Sequence, residues 1–118
     1  MTKLYHVDVY MPEWFTDPCW LGNVTYSQHA LNASKTDRYG IIDLPTKIDY
    51  GHGTIIEVET DIINCRERVI KQVWRIPYGD DVRDLIIVVT SSGFVKTVWF
   101  NLKGDKHKTL DRSKYESR

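Results

Sequence analysis

The feature that most constrains the fold is a short apolar run, Leu85-Ile86-Ile87-Val88-Val89-Thr90, closed by Ser91-Ser92-Gly93 and followed by Phe94 to Asn101. Aliphatic residues fill both faces of the first stretch, so it reads as a central strand covered on both sides. Ser-Ser-Gly is a turn signal, and the pair reads as a β-hairpin inside a larger sheet. The chain leaves this hairpin through Asn101 into a polar loop that carries His107 and Thr109. Loops held by a rigid scaffold are common places for binding and catalysis.

The remaining segments fit around that hairpin. Tyr5, Val7 and Val9 alternate with His6, Asp8 and Tyr10, which predicts a first strand. MPEWFTDPCWLGN, with two prolines and two tryptophans, reads as an irregular loop whose Trp14, Phe15 and Trp20 lid the core. Val24 to Tyr39 is the helix. Thr25 with Gln28 matches a capping box, Ser27 is an alternative cap, and Gly40 is a suitable stop. Thr54 to Thr60 and Arg68 to Ile76 alternate as half-exposed strands, with Ile70, Trp74 and Ile76 on one face and Lys71, Val73 and Arg75 on the other. Pro77 to Asp80 is a turn. The expected fold is α+β, one main helix packed on a four- to five-stranded antiparallel sheet. All 118 residues form a single domain, with the strand and aromatic loop in 1–23 and the core in 24–115.

Composition narrows the functional classes. No stretch approaches the roughly 18 apolar residues of a membrane span, and His6 and Asp8 interrupt any N-terminal leader-like run, so a cytoplasmic location is expected. The two cysteines, Cys19 and Cys65, form no CxxC pair and are expected as reduced, partly buried thiols. The net charge of zero divides unevenly: residues 1–65 carry −5 and residues 66–118 carry +5. A basic half suits a nucleic-acid ligand. The neutral total argues against strong nonspecific binding, which depends on many phosphate contacts.

Several side chains can carry chemistry. His29 and His107 suit metal-free RNA cleavage, in which a 2′-hydroxyl attacks the adjacent phosphate. That reaction needs a base, an acid and cations, and imidazole titrates near neutrality. Lys71 and Arg75 share one strand face, about 13 Å apart at the strand rise, a distance a nucleotide can bridge. Asn101 stands at a strand exit where it can donate to a phosphate or a base edge, while Trp99 reads as a core residue. The tail from Lys103 to Arg118 is rich in cations. The scattered histidines make no HxH or HExxH spacing, and neither a P-loop nor a GxSxG elbow is present, so neither a metal nor a cofactor is expected.

A family resemblance adds to these readings. Tyr26-Ser27-Gln28-His29-Ala30, Asp37-Arg38-Tyr39-Gly40 and Leu44-Pro45 are followed by Asp84-Leu85, Thr97-Val98-Trp99-Phe100-Asn101, and Asp105 to Asp111 with Tyr115. In this order they resemble a group of small phage-encoded proteins, itself similar to the barnase–EndoU–colicin–RelE-like nuclease fold. The resemblance implies a metal-independent endoribonuclease with RNA as its partner. His29 would be the general base and His107 the general acid. Lys71 or Arg75 would hold the phosphate, and Asn101 and Thr109 would position it. The alternative is a non-catalytic host-takeover protein that binds and inhibits a host protein, using Trp14, Phe15, Trp20 and the acidic N-terminal half.

Overall fold

The computed structural model describes residues 1–49, 51–104 and 110–117. Its elements are β1 (Thr2–His6), β2 (Gly22–Asn23), β3 (Thr25–Tyr26), α1 (Gln28–Thr36), β4 (Lys47–Ile48), β5 (Thr54–Ile63), β6 (Arg66–Pro77), β7 (Arg83–Thr90) and β8 (Phe94–Leu102). Single 3-10 turns occupy Glu13–Thr16 and Arg112–Lys114. The architecture is α+β, as expected. The sheet is larger than expected, with six strands in the order β1-β5-β6-β7-β8-β3, and it is mixed rather than wholly antiparallel because β3 runs parallel to β8. A separate two-stranded ladder joins β2 to β4.

The extra strand comes from the start of the expected helix. Thr25 and Tyr26 pair with Phe94 and Val95, so helix begins only at Gln28. Ser27 is the N-cap; its hydroxyl accepts from the Ala30 N–H at 2.9 Å while donating to the Lys96 carbonyl at 2.7 Å. The helix stops at Thr36 because Asp37 turns to extended backbone and its carboxylate accepts from the N–H groups of Phe100 and Tyr39. Both ends of α1 are thereby tied to β8, and the helix lies along the edge of that strand beyond the short β3 pairing.

Leu85 to Val89 are all buried, as a two-sided central strand requires. On the core face lie Tyr5, Val58, Trp74, Ile76, Ile87, Val98 and Phe100, covered by Phe15, Ala30, Ile42 and Ile48. Val73, Ile86 and Val88 form a smaller cluster on the outer face. Three register shifts alter the expected faces; on β5, Ile56 is skipped between Ile55 and Glu57 and packs on the outer-face cluster, away from Val58. On β6, Glu59 pairs with Lys71 but Thr60 with Val69, so Ile70 is skipped and Val69 joins the core in its place. On β8, Lys96 is skipped between Val95 and Thr97, which puts Trp99 on the outer face, 38 % exposed, rather than in the core.

Of the three aromatic residues expected to lid the core, Phe15 does so; Trp14 is exposed, and Trp20 lies over Gly93 at the β7–β8 turn. The loop is anchored by Gln72, which is fully buried in β6. Its Oε1 accepts from the Cys19 N–H at 2.8 Å, and its Nε2 donates to the carbonyls of Phe15 (2.9 Å) and Asp17 (2.8 Å). Both cysteines are free; Cys65 is exposed rather than partly buried, since it occupies the β5–β6 turn.

Candidate functional site

Between α1 and β8 runs an open groove of about 470 Å³. Helix geometry brings His29, Ala33 and Thr36 onto one stripe, because residues three and four apart share a face. This stripe forms one wall, and Thr97 and Trp99 of β8 form the other. Asp37 and Arg38 close the end beyond the helix C-terminus. Among the described residues neither His29 nor Arg38 has a carboxylate partner; the Arg38 guanidinium lies 4.7 Å from the centroid of the Tyr39 ring. Both oxygens of Asp37 are occupied by backbone N–H groups. The groove therefore presents the Trp99 side chain, an imidazole and a guanidinium that has no carboxylate partner among the described residues.

Lys71, Arg75 and Asn101, also expected at the site, lie on the outer face of the sheet. Lys71 Nζ is 3.4 Å from Glu59 Oε1. Arg75 Nε donates to Asp84 at 2.7 Å and its guanidinium reaches the Leu102 carbonyl at 3.1 Å. Lys103 Nζ holds the second Asp84 oxygen at 2.5 Å. Burial pushes the Asp84 carboxyl up, but the bonds from Lys103 and Arg75 outweigh it and hold the group below the usual carboxylate range. Asn101 lies directly across the ladder from Asp84.

Arg75, Asp84, Asn101 and Lys103 thus gather at one end of the outer face, while Lys71 stands further along β6 beside Glu59. Asn101 is four residues beyond Thr97, about 13 Å along the strand. His29, which shares the groove with Thr97, therefore stands beside the opening half of β8, and Asn101 at its exit. His107 and Thr109 lie outside the described residues.

Arg38 and Trp99 are the groove residues that sequence reasoning passed over. Trp99 shares parity with the buried Val95 in the sequence, and only the skipped Lys96 turns its indole outward. No local signal marked Arg38, whose place depends on where the helix ends.

Among the described residues, no three metal-ligating side chains come together, and no helix is long and apolar enough to cross a membrane. Comparison of the chain with protein-family models, curated proteins and solved structures gave no match.

Proposed function

We propose that the protein binds single-stranded RNA through the α1–β8 groove. The observation that carries this reading is the convergence there of the exposed Trp99 indole with His29 and Arg38, neither neutralised by a described carboxylate. A base stacks on Trp99, a mode of binding that tolerates any sequence. Arg38 takes the adjoining phosphate, and His29 is placed to exchange a proton with the sugar-phosphate backbone. The outer-face cations are less available, because phosphate must displace Glu59 from Lys71 or Asp84 from Arg75 and Lys103. Few phosphate contacts also agree with the neutral total charge.

Fluorescence anisotropy of a short labelled oligoribonucleotide tests this reading. Trp99→Ala should weaken binding by about 1–3 kcal/mol, the scale of one base–aromatic stack. Arg38→Ala should lower the salt slope by about 0.7, the value for one phosphate contact on a single strand. Incubation with RNA in EDTA, beside His29→Ala, reads whether bound RNA is also cut, as the endoribonuclease expectation requires. Absence of RNA binding, or binding indifferent to Trp99 and Arg38, rejects the groove as the site.

A second reading, capture of a host protein, is favoured by exposed apolar side chains at one end of the molecule. Ile41 and Val82 are largely exposed, on segments that Arg83 joins by donating to the Tyr39 carbonyl. Pull-down by the wild-type chain that is lost in Ile41→Ser with Val82→Ser supports this reading.

A further inference from the structure

Residues 110–117 lie against β1, which forms one edge of the sheet. Few contacts hold them there. The Glu116 N–H donates to the Leu4 carbonyl at 2.8 Å, and the Arg112 guanidinium donates to the Asp8 carbonyl at 2.6 Å. The Tyr115 hydroxyl donates to Glu57 at 2.5 Å, and the Tyr115 and His6 ring centroids stand 5.1 Å apart. None of residues 110–117 is buried. A segment held by hydrogen bonds with so little buried surface opens at a lower free energy than the core strands. It is a strap laid over β1.

The strap shuts in a titratable group. The His6 imidazole is 2 % exposed, with the Tyr115 ring against it. Its Nδ1 accepts from the Asp8 N–H at 3.1 Å, so this nitrogen carries no proton while the strap is closed. Adding one would break that bond, set one N–H against another and leave a cation where little water reaches.

The described charges around His6 pull both ways. Asp8 Oδ2 lies 3.9 Å from Nδ1 and favours an imidazolium, but that side chain is 49 % exposed and water screens its pull. Glu57 stands across the ladder from His6 and already accepts from the Tyr115 hydroxyl. Arg112, on the Asp8 carbonyl, opposes a second cation. Asp111 and Glu116 act on the hydroxyls of Tyr115 and Tyr5, and Lys114 acts on Asp111. Burial and the filled acceptor therefore decide the balance against the charged ring.

We infer that the C-terminal segment is an acid-opened strap, in which docking on β1 and protonation of His6 exclude each other. A proton from solvent goes to Nδ1, the Asp8 N–H loses its acceptor, and Tyr115 leaves the ring it covers. Docking is fully supported above the open-state titration of His6, at pH about 6.5, and loses that support as pH falls through the lower closed-state value. The strap is separate from the α1–β8 groove and does not depend on RNA binding there.

The test follows the full chain, labelled with nitrogen-15, between pH 8 and pH 5, a range in which an ordinary carboxyl stays ionised. Hydrogen exchange at the Glu116 amide, corrected for its intrinsic pH dependence, should lose about tenfold of its protection between pH 7 and pH 5, while β7 amides keep theirs. Tyr115→Ala with Arg112→Ala should open the strap at every pH and let His6 titrate near 6.5, above its wild-type midpoint. His6→Asn keeps an uncharged acceptor for the N–H two residues on, so its Glu116 protection should not change with pH. Equal Glu116 protection at pH 7 and pH 5 in the wild-type chain overturns the inference. So does a His6 midpoint that is the same with the strap closed and open, or a His6→Asn chain that responds to pH as wild type does.

Discussion

Replacing Gln72 by leucine should unfasten the aromatic loop from the sheet at a large cost. Three hydrogen bonds disappear, each worth about 1 kcal/mol net, and the buried Phe15 carbonyl loses its partner in a place water does not reach. Leucine is of similar length and returns part of this through its apolar surface, so the net loss should be about 2–4 kcal/mol. That is a sizeable fraction of a total stability of about 5–15 kcal/mol. With a urea slope near 1.5 kcal/mol/M, the unfolding midpoint should fall by roughly 2 M. Hydrogen exchange at the Cys19 amide should accelerate more than exchange within β7.

Gln72→Glu sharpens the test, because a carboxylate would face the two carbonyls that Nε2 now serves. Its folded pKa must then lie above the unfolded value of about 4.3. A group raised on folding supports the fold below its unfolded pKa and loses that support as pH rises through its folded pKa. The Gln72→Glu variant should therefore be less stable at pH 7 than at pH 5, relative to wild type. A leucine variant within about 0.5 kcal/mol of wild type, the range of ordinary surface changes, would refute the reasoning. So would a glutamate variant whose deficit is independent of pH.

Further predictions concern stability. Asp84 is held below its ordinary range by Lys103 and Arg75 against its burial, so its contribution is present above pH of about 4 and is lost as pH falls through the lowered value. Thermal melts of Asp84→Asn should accordingly show a shallower acid limb than wild type. Gly93 has φ +81°, and a Cβ there would stand 2.3 Å from the Trp20 ring. Gly93→Ala should destabilise by about 2–3 kcal/mol through strain and displaced packing, read by denaturant titration with tryptophan fluorescence. Asn64 and Cys65 both take positive φ (53° and 65°) in the two-residue β5–β6 turn, where the second position favours glycine. Cys65→Gly should therefore raise the melting temperature, by the equivalent of about 1 kcal/mol.

The β7–β8 hairpin was legible in sequence because its cause is local: an aliphatic run that no single face explains, then a glycine turn. The helix was legible in its middle only. Thr25 and Gln28 satisfy a capping pattern, yet pairing with Phe94 and Val95 takes Thr25 into the sheet, a contact between residues nearly seventy apart that no local signal encodes. The skipped residues Ile70 and Lys96 were hidden for the same reason. A bulge is a property of two strands, and one residue of slip sends every later side chain to the opposite face. The misreading of Trp99 followed directly from that slip.

Among the candidate site residues, the charges of Lys71 and Arg75 were visible, but their partners Glu59 and Asp84 were set by register.

Amide chemical-shift mapping of the labelled chain with a short oligoribonucleotide tests RNA binding at the groove most directly. The largest changes should fall at His29, Arg38, Thr97 and the Trp99 indole, with Lys71 and Glu59 little affected. Changes centred on the outer face around Lys71, or none at Trp99 under saturating RNA, would contradict it.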